Sequence, residues 1–184
     1  MTTAPAPAAV STWTIDRRHS LVEFAVRHMM VATVKGQFRN FEGTIRLDEA
    51  NPENSSVEVT IEAASIDTNE PQRDAHLRSD DFLNVEKFPY ITFRSKRVEL
   101  LGPERARVIG DLTIRDITRE VALEVEFLGR TKDPYGKERI GFSAQTSINR
   151  HDFNVRWNAV LEAGGVVVGD TVRINLEIEA VRQD

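Results

Sequence analysis

The chain has 184 residues, with 24 Lys and Arg against 29 Asp and Glu, for a formal charge of −5. That length fits one domain of ordinary size, and 40% hydrophobic with 29% charged residues is a folded composition rather than a disordered one. The acidic balance argues against a nucleic-acid partner, which needs a basic face, and the absence of cysteine excludes disulfides, iron–sulfur clusters and thiol catalysis.

The opening MTTAPAPAAV reads as a flexible tail over residues 1–10, ahead of a single domain over 11–184. Its first cation is Arg17, and it offers neither a charged n-region nor an apolar h-region. No stretch approaches the ~18 apolar residues of a membrane span. A cytoplasmic location without stable membrane insertion is the resulting expectation.

Period-two alternation then dominates. Val22, Phe24, Val26, His28 and Met30 share one face, with Glu23 and Arg27 on the other. The next stripe runs Val34, Gly36, Phe38 and then Phe41, Gly43, Ile45, Leu47. Its parity flips at Arg39–Asn40, which predicts a bulge or sharp bend. Val57, Val59, Ile61 and Ala63 follow. Residues 70–88 interrupt the strands with a short helical insertion. Pro71 suits its first turn, and Asp74 and Arg78 stand at i,i+4. Ser79 is expected to cap a further turn whose apolar side is Phe82, Leu83, Val85 and Phe88.

Ile91 and Phe93 open the next strand, and the parity flips again before Val98 and Leu100. Val108, Gly110, Leu112 and Ile114 lead to a turn at Asp116–Thr118, then Val121, Leu123, Val125 and Phe127. Lys132-Asp133-Pro134-Tyr135-Gly136 is strong turn chemistry. Ile140, Phe142, Ala144, Thr146 and Ile148 come next, and Val172, Ile174, Leu176, Ile178 and Ala180 form the last stripe. About eight amphipathic strands joined by short turns favour an all-β antiparallel architecture, a barrel or a sandwich. The long strands and parity flips favour the eight-stranded barrel, which is wide enough for one small ligand.

Such a barrel would be walled by Phe24, Val26, Phe38, Leu112, Ile114 and Phe142, with Val22 and Phe93 in the same stripes. Burying ten methylenes there gains roughly 8 kcal/mol gross, about micromolar binding before ordering costs. His28 lies in phase with the inward stripe, as a head-group partner or a satisfied core histidine. Arg150 organises its loop or meets a head group. Trp13, Phe153 and Trp157 pack at a rim or form a lipid-facing lip. Phe82 and Leu77 plug one end or gate it, and His76 with Arg73, Asp74 and Asp80 caps and solvates that segment. No metal-ligand spacing, G-x-S-x-G elbow or phosphate loop is present, so catalysis has no visible centre and no cofactor is required.

Several motifs, in order, resemble the YceI-like family: Trp13-x-x-Asp16-x-x-His19-Ser20-x-Val22-x-Phe24-x-Val26-x-His28-Met29, Ala64-Ser65-Ile66-Asp67-Thr68, Arg73-Asp74-x-His76-Leu77, Lys87-Phe88-Pro89-x-Ile91-x-Phe93 and Ile148-Asn149-Arg150-x-Asp152-Phe153. The resemblance spans residues 12–182 and implies a lipocalin-like antiparallel barrel that binds an isoprenoid lipid, a polyprenyl chain or an isoprenoid quinone, without catalysis. It also implies a homodimer, and members are often periplasmic. Asn154 stands where the family commonly has glycine after the phenylalanine. An enzyme acting on such a lipid, with His28 or His76 as base, and a solid-cored interaction module that dimerises through strand edges are the alternatives.

Overall fold

In the computed structural model, residues 10–159, 161 and 165–184 are described. The expected tail lies outside them, apart from Val10, which already begins the first strand. Strands β1 (Val10–Ile15), β2 (Leu21–His28), β3 (Ala32–Phe38), β4 (Phe41–Asp48), β5 (Ser56–Glu62) and β6 (Ile66–Asp67) precede helix α1 (Pro71–Arg78). After it come β7 (Tyr90–Leu100), β8 (Arg105–Ile114), β9 (Ile117–Lys132), β10 (Glu138–Asn149) and β11 (Val168–Arg182).

These eleven segments occupy eight barrel positions, because three positions are each filled by two segments in succession. β11 pairs with β1 through Ala180–Arg182 and with β2 through Val168–Glu177, so β1 and β2 are halves of one bent strand. β3 and β4 pair with β2 and β1 in the same way, and β5 and β6 continue the series. The β1–β11 pairing closes the ring, and every pairing is antiparallel. The parity flip at Arg39–Asn40 is the break between β3 and β4: Phe38 and Phe41 both point inward with two outward residues between them. The three breaks lie side by side and are stitched together. Arg17 Nη1 donates to Asn40 Oδ1 at 2.8 Å, and Asn40 Nδ2 donates to Glu62 Oε2 at 3.1 Å.

The flip before Val98 is a register shift between Ser95 and Arg97 against β8. A further shift at Gly141–Phe142, opposite Gly129 at φ 151°, throws Leu128 outward and has no counterpart in the apolar pattern. The Asp116–Thr118 turn moves back to Arg115–Asp116, with Arg115 at φ 56°. Inward-facing glycine makes room for aromatic rings. A Cβ at Gly36 would come within 2.8 Å of Phe24 Cε1 and Thr68 Cγ2, and one at Gly110 within 2.7 Å of Phe93 Cζ.

β1 corrects the placement of Trp13 at a rim. Its indole is fully buried against Ile140 and Ala180, and Nε1 donates to Ser11 Oγ at 2.8 Å. Ser79 caps the C-terminus of α1 through bonds from its N–H and its hydroxyl to His76 O. The expected further turn does start there, with Phe82 N donating to Ser79 O at 3.0 Å, though the hydroxyl does not cap it. Asp74 and Arg78 do not pair; each bonds to the chain preceding the helix.

At the break between β1 and β2, Arg139 ties three carboxylates together. Its Nη1 donates to Asp16 at 2.9 Å and Glu179 at 3.0 Å, and Nε donates to Asp133 at 2.8 Å. Asp16, His19 and Glu179 cluster as metal ligands can, but the guanidinium already supplies the neutralising charge. Partial burial works to raise the Asp16 pKa, but hydrogen bonds from His19, Arg139 and Arg18 N outweigh it and hold the carboxyl at about 2. A depressed folded pKa stabilises the fold above the ordinary carboxylate value of 3.8 and ceases to do so as pH falls through about 2. Urea unfolding across that acid window is expected to show a loss of about 2 kcal/mol. Asp16→Asn removes this component, and its stability is expected to change less over the same window.

Candidate ligand-binding cavity

Strand direction sorts the connections into two ends. The β2–β3 tip, the α1 segment, the Arg115–Asp116 turn and the stretch following β10 lie at one end. Loops 49–55, 101–104 and 133–137 lie at the other. Between them runs a continuous cavity of about 870 Å³, within the range of about 300–1,000 Å³ typical of small-molecule sites. The alternating stripes build its wall directly, since outward residues meet water and inward ones have only each other or a ligand.

Every site residue expected from the sequence borders this cavity. Val22, Phe24, Val26, Phe38, Phe93, Leu112, Ile114 and Phe142 form wall, Phe82 and Trp157 belong to the α1 end, and His28 and Arg150 border it from the ends of β2 and β10. Phe127, Leu176, Ile178 and Ala144 extend the same wall and follow from the same parity. A solid core is therefore overturned.

The α1 end is a packed cap. Phe82 is buried, and Leu77, Leu83 and Trp157 pack with it against Phe93, Leu112 and Phe153. Phe153, expected at a rim, is buried too. Phe88 instead is half-buried outside that cluster, with the Arg115 guanidinium 5.4 Å from its ring centroid. His76 is more than a solvated cap. Its ring meets Phe82 and Trp157 edge-on at centroid distances of 5.0 and 4.8 Å, and its Nε2 lies 2.9 Å from Asp81. It borders the cavity along with Thr68 and Arg73.

Those two residues form a fixed polar facet. Buried Asp74 accepts from Thr68 N at 2.8 Å and Thr68 Oγ1 at 2.5 Å, and Arg73 donates from Nε to Thr68 Oγ1 and from Nη2 to Thr68 O, both at 2.7 Å. Nothing in the apolar pattern marks Thr68. The signal was the run Ile66-Asp67-Thr68, whose polar residues follow a strand directly.

Arg150 is buried, and its guanidinium donates to four carbonyls, those of Gly169, Val155, Trp157 and Val168, at 2.8 to 3.3 Å. Burial draws its pKa below the ordinary guanidinium range, and Asp170 opposes that shift. The four bonds draw the stretch after β10 back toward the start of β11. Asn154 lies within that stretch at φ 60°, ψ 27°, a left-handed conformation that asparagine tolerates and glycine adopts freely. The departure from glycine therefore keeps the loop's geometry.

A closed antiparallel barrel around a continuous apolar cavity defines the class: a lipocalin-like barrel with a hollow interior. The YceI-like domain matches residues 13–180, and the chain belongs to the YceI-like family. A UPF0312 protein from Ectopseudomonas mendocina is 38% identical over 178 residues, covering 96% of this chain and 90% of that one. The YceI protein of Campylobacter jejuni superposes with a TM-score of 0.73 at 34% identity, over 86% of this chain and 90% of that one. A polyisoprenoid binding domain from Saccharophagus degradans shares the fold, with a TM-score of 0.68 at 14% identity over 95% of this chain and all of its own length.

Proposed function

We propose that this protein binds an isoprenoid lipid, a polyprenyl chain or an isoprenoid quinone, inside the barrel and carries or stores it without chemical change. The observation that carries this reading is the cavity itself: about 870 Å³ of continuous space, walled by Phe, Val, Leu and Ile from every side of the ring. An empty apolar space of that size forfeits dispersion contacts that a hydrocarbon tail restores. The binding named for the Saccharophagus domain, on the same fold, supports the same class of ligand. The polar facet at the α1 end, Thr68 and Arg73 with His76 and His28 nearby, suits a small head group, and the rest of the cavity suits only tail.

Solvent extraction and mass spectrometry of protein purified without detergent tests this directly, alongside uptake of an added isoprenoid quinone. Recovery of no lipid together with no uptake overturns it. Ala144→Trp sharpens the test, because Ala144 faces the cavity between Val125 and Leu176. In a filled core such a substitution costs about 1–3 kcal/mol. In this hollow one the indole enters open space, so the melting temperature is expected to hold while quinone affinity falls by about tenfold or more, roughly 1.4 kcal/mol.

A further inference from the structure

The β2–β3 connection breaks the rules for its position. Met29 and Met30 have φ of 52° and 63°, successive left-handed residues closed by a bond from Val31 N to His28 O at 3.3 Å. Such hairpin turns favour Asn-Gly, and unbranched apolar side chains there are strained. The same residues are also among the most exposed apolar side chains of the molecule: Met29 is 44%, Met30 62% and Val31 84% accessible. Strain and exposure together, at a tip that water would rather see polar, point to function rather than packing.

The tip has two further properties. It is continuous with the cavity, since His28, Val26 and Val34 on its two strands border the space and Met29 N donates to Val167 O across the same rim at 2.8 Å. It is also basic, on a chain whose net charge is −5. Ala25 stands in register between Arg173 and Lys35, with Arg27 two residues nearer the tip, and among the described residues no carboxylate lies within ion-pair distance of these three cations. Asp170, at the same end, is engaged by His151 at 2.7 Å. The opposite rim also exposes Leu100 and Leu101, but they stand between Glu99 and Glu104.

We infer that the Met29–Val31 tip docks on an anionic lipid bilayer, its three apolar side chains entering the interface and Arg27, Lys35 and Arg173 meeting the head groups. This rests on the lipid-binding reading and names where the lipid is exchanged. Apolar insertion combined with a few basic residues is the general recipe for reversible interfacial attachment.

The test is flotation of the full chain with vesicles of phosphatidylcholine alone and of equal parts phosphatidylcholine and phosphatidylglycerol. Association with the anionic vesicles is expected, and its absence in the wild type overturns the inference. A variant combining Met29→Asn, Met30→Gly and Val31→Ser gives the turn its preferred residues, so it is expected to melt at or above the wild-type temperature and to lose vesicle association. Unchanged association in that variant is equally fatal. Combining Arg27→Gln, Lys35→Gln and Arg173→Gln is expected to weaken binding to anionic vesicles about 100-fold, at roughly five-fold per cation, and to abolish the preference over phosphatidylcholine. Uptake of a short-chain quinone from solution keeps the two readings apart. Uptake without vesicle association leaves the cavity reading standing and sinks the docking tip, and vesicle association by the tip without uptake does the reverse.

Discussion

Leu112→Asp is expected to abolish quinone uptake and to destabilise the barrel by about 4 kcal/mol or more. Leu112 is buried on β8, directly opposite Phe93 on β7, and both belong to the cluster that joins the wall to the α1 cap. The substitution removes apolar contact from that cluster and places a carboxyl where no donor waits. Burial pushes such a carboxyl's pKa upward. A raised folded pKa makes the deficit grow as pH climbs through the ordinary carboxylate value and shrink as the group is protonated in acid. Urea unfolding at neutral and mildly acidic pH measures both the loss and its sign. Leu112→Met, nearly volume-conserving, is expected to cost less than about 1.5 kcal/mol and to keep binding. A charged variant as stable as the methionine one would mean that this part of the wall is wet.

The wall was legible because each strand has water on one side and apolar neighbours on the other, so a period of two survives in the residues. Both parity flips marked real events, the β3–β4 break and the β7 shift at Ser95–Arg97. β1 escaped because its inward positions are Ser11, Trp13 and Ile15, and the serine spoils the alternation. Its hydroxyl is buried because the Trp13 indole needs an acceptor. The end of the cavity was harder to read. α1 has no apolar stripe, so nothing local shows that His76 turns toward Phe82 and Trp157, and Trp157 is far away in the chain. The i,i+4 relation of Asp74 and Arg78 is a weak surface preference. It yields to the stronger demand that the buried Thr68 N–H and hydroxyl find an acceptor, which Asp74 supplies. Local rules thus predicted the wall, and satisfaction of buried polar groups, which depends on the assembled fold, built the cap.

That distinction decides between the two roles open to Arg150. A residue that contacts a head group acts by charge, so Arg150→Lys would keep much of the binding and leave the fold untouched. A residue that pins a loop acts by the geometry of its fork. A lysine ammonium cannot span the carbonyls of Gly169, Val155, Trp157 and Val168, which converge on the planar guanidinium from both sides of the loop. We expect the second outcome: Arg150→Met loses about 3–5 kcal/mol, since buried carbonyls are left without donors, and Arg150→Lys recovers little of it. Fluorescence makes the mechanism visible, because the chain has two tryptophans, and Trp13, fully buried near the far end, serves as an internal control. Release of the loop is expected to expose Trp157 to a soluble quencher while Trp13 stays protected, and to speed the loss of bound quinone as the cap loosens. A lysine variant with wild-type stability and an unchanged quenching profile would refute the pin and return Arg150 to the ligand.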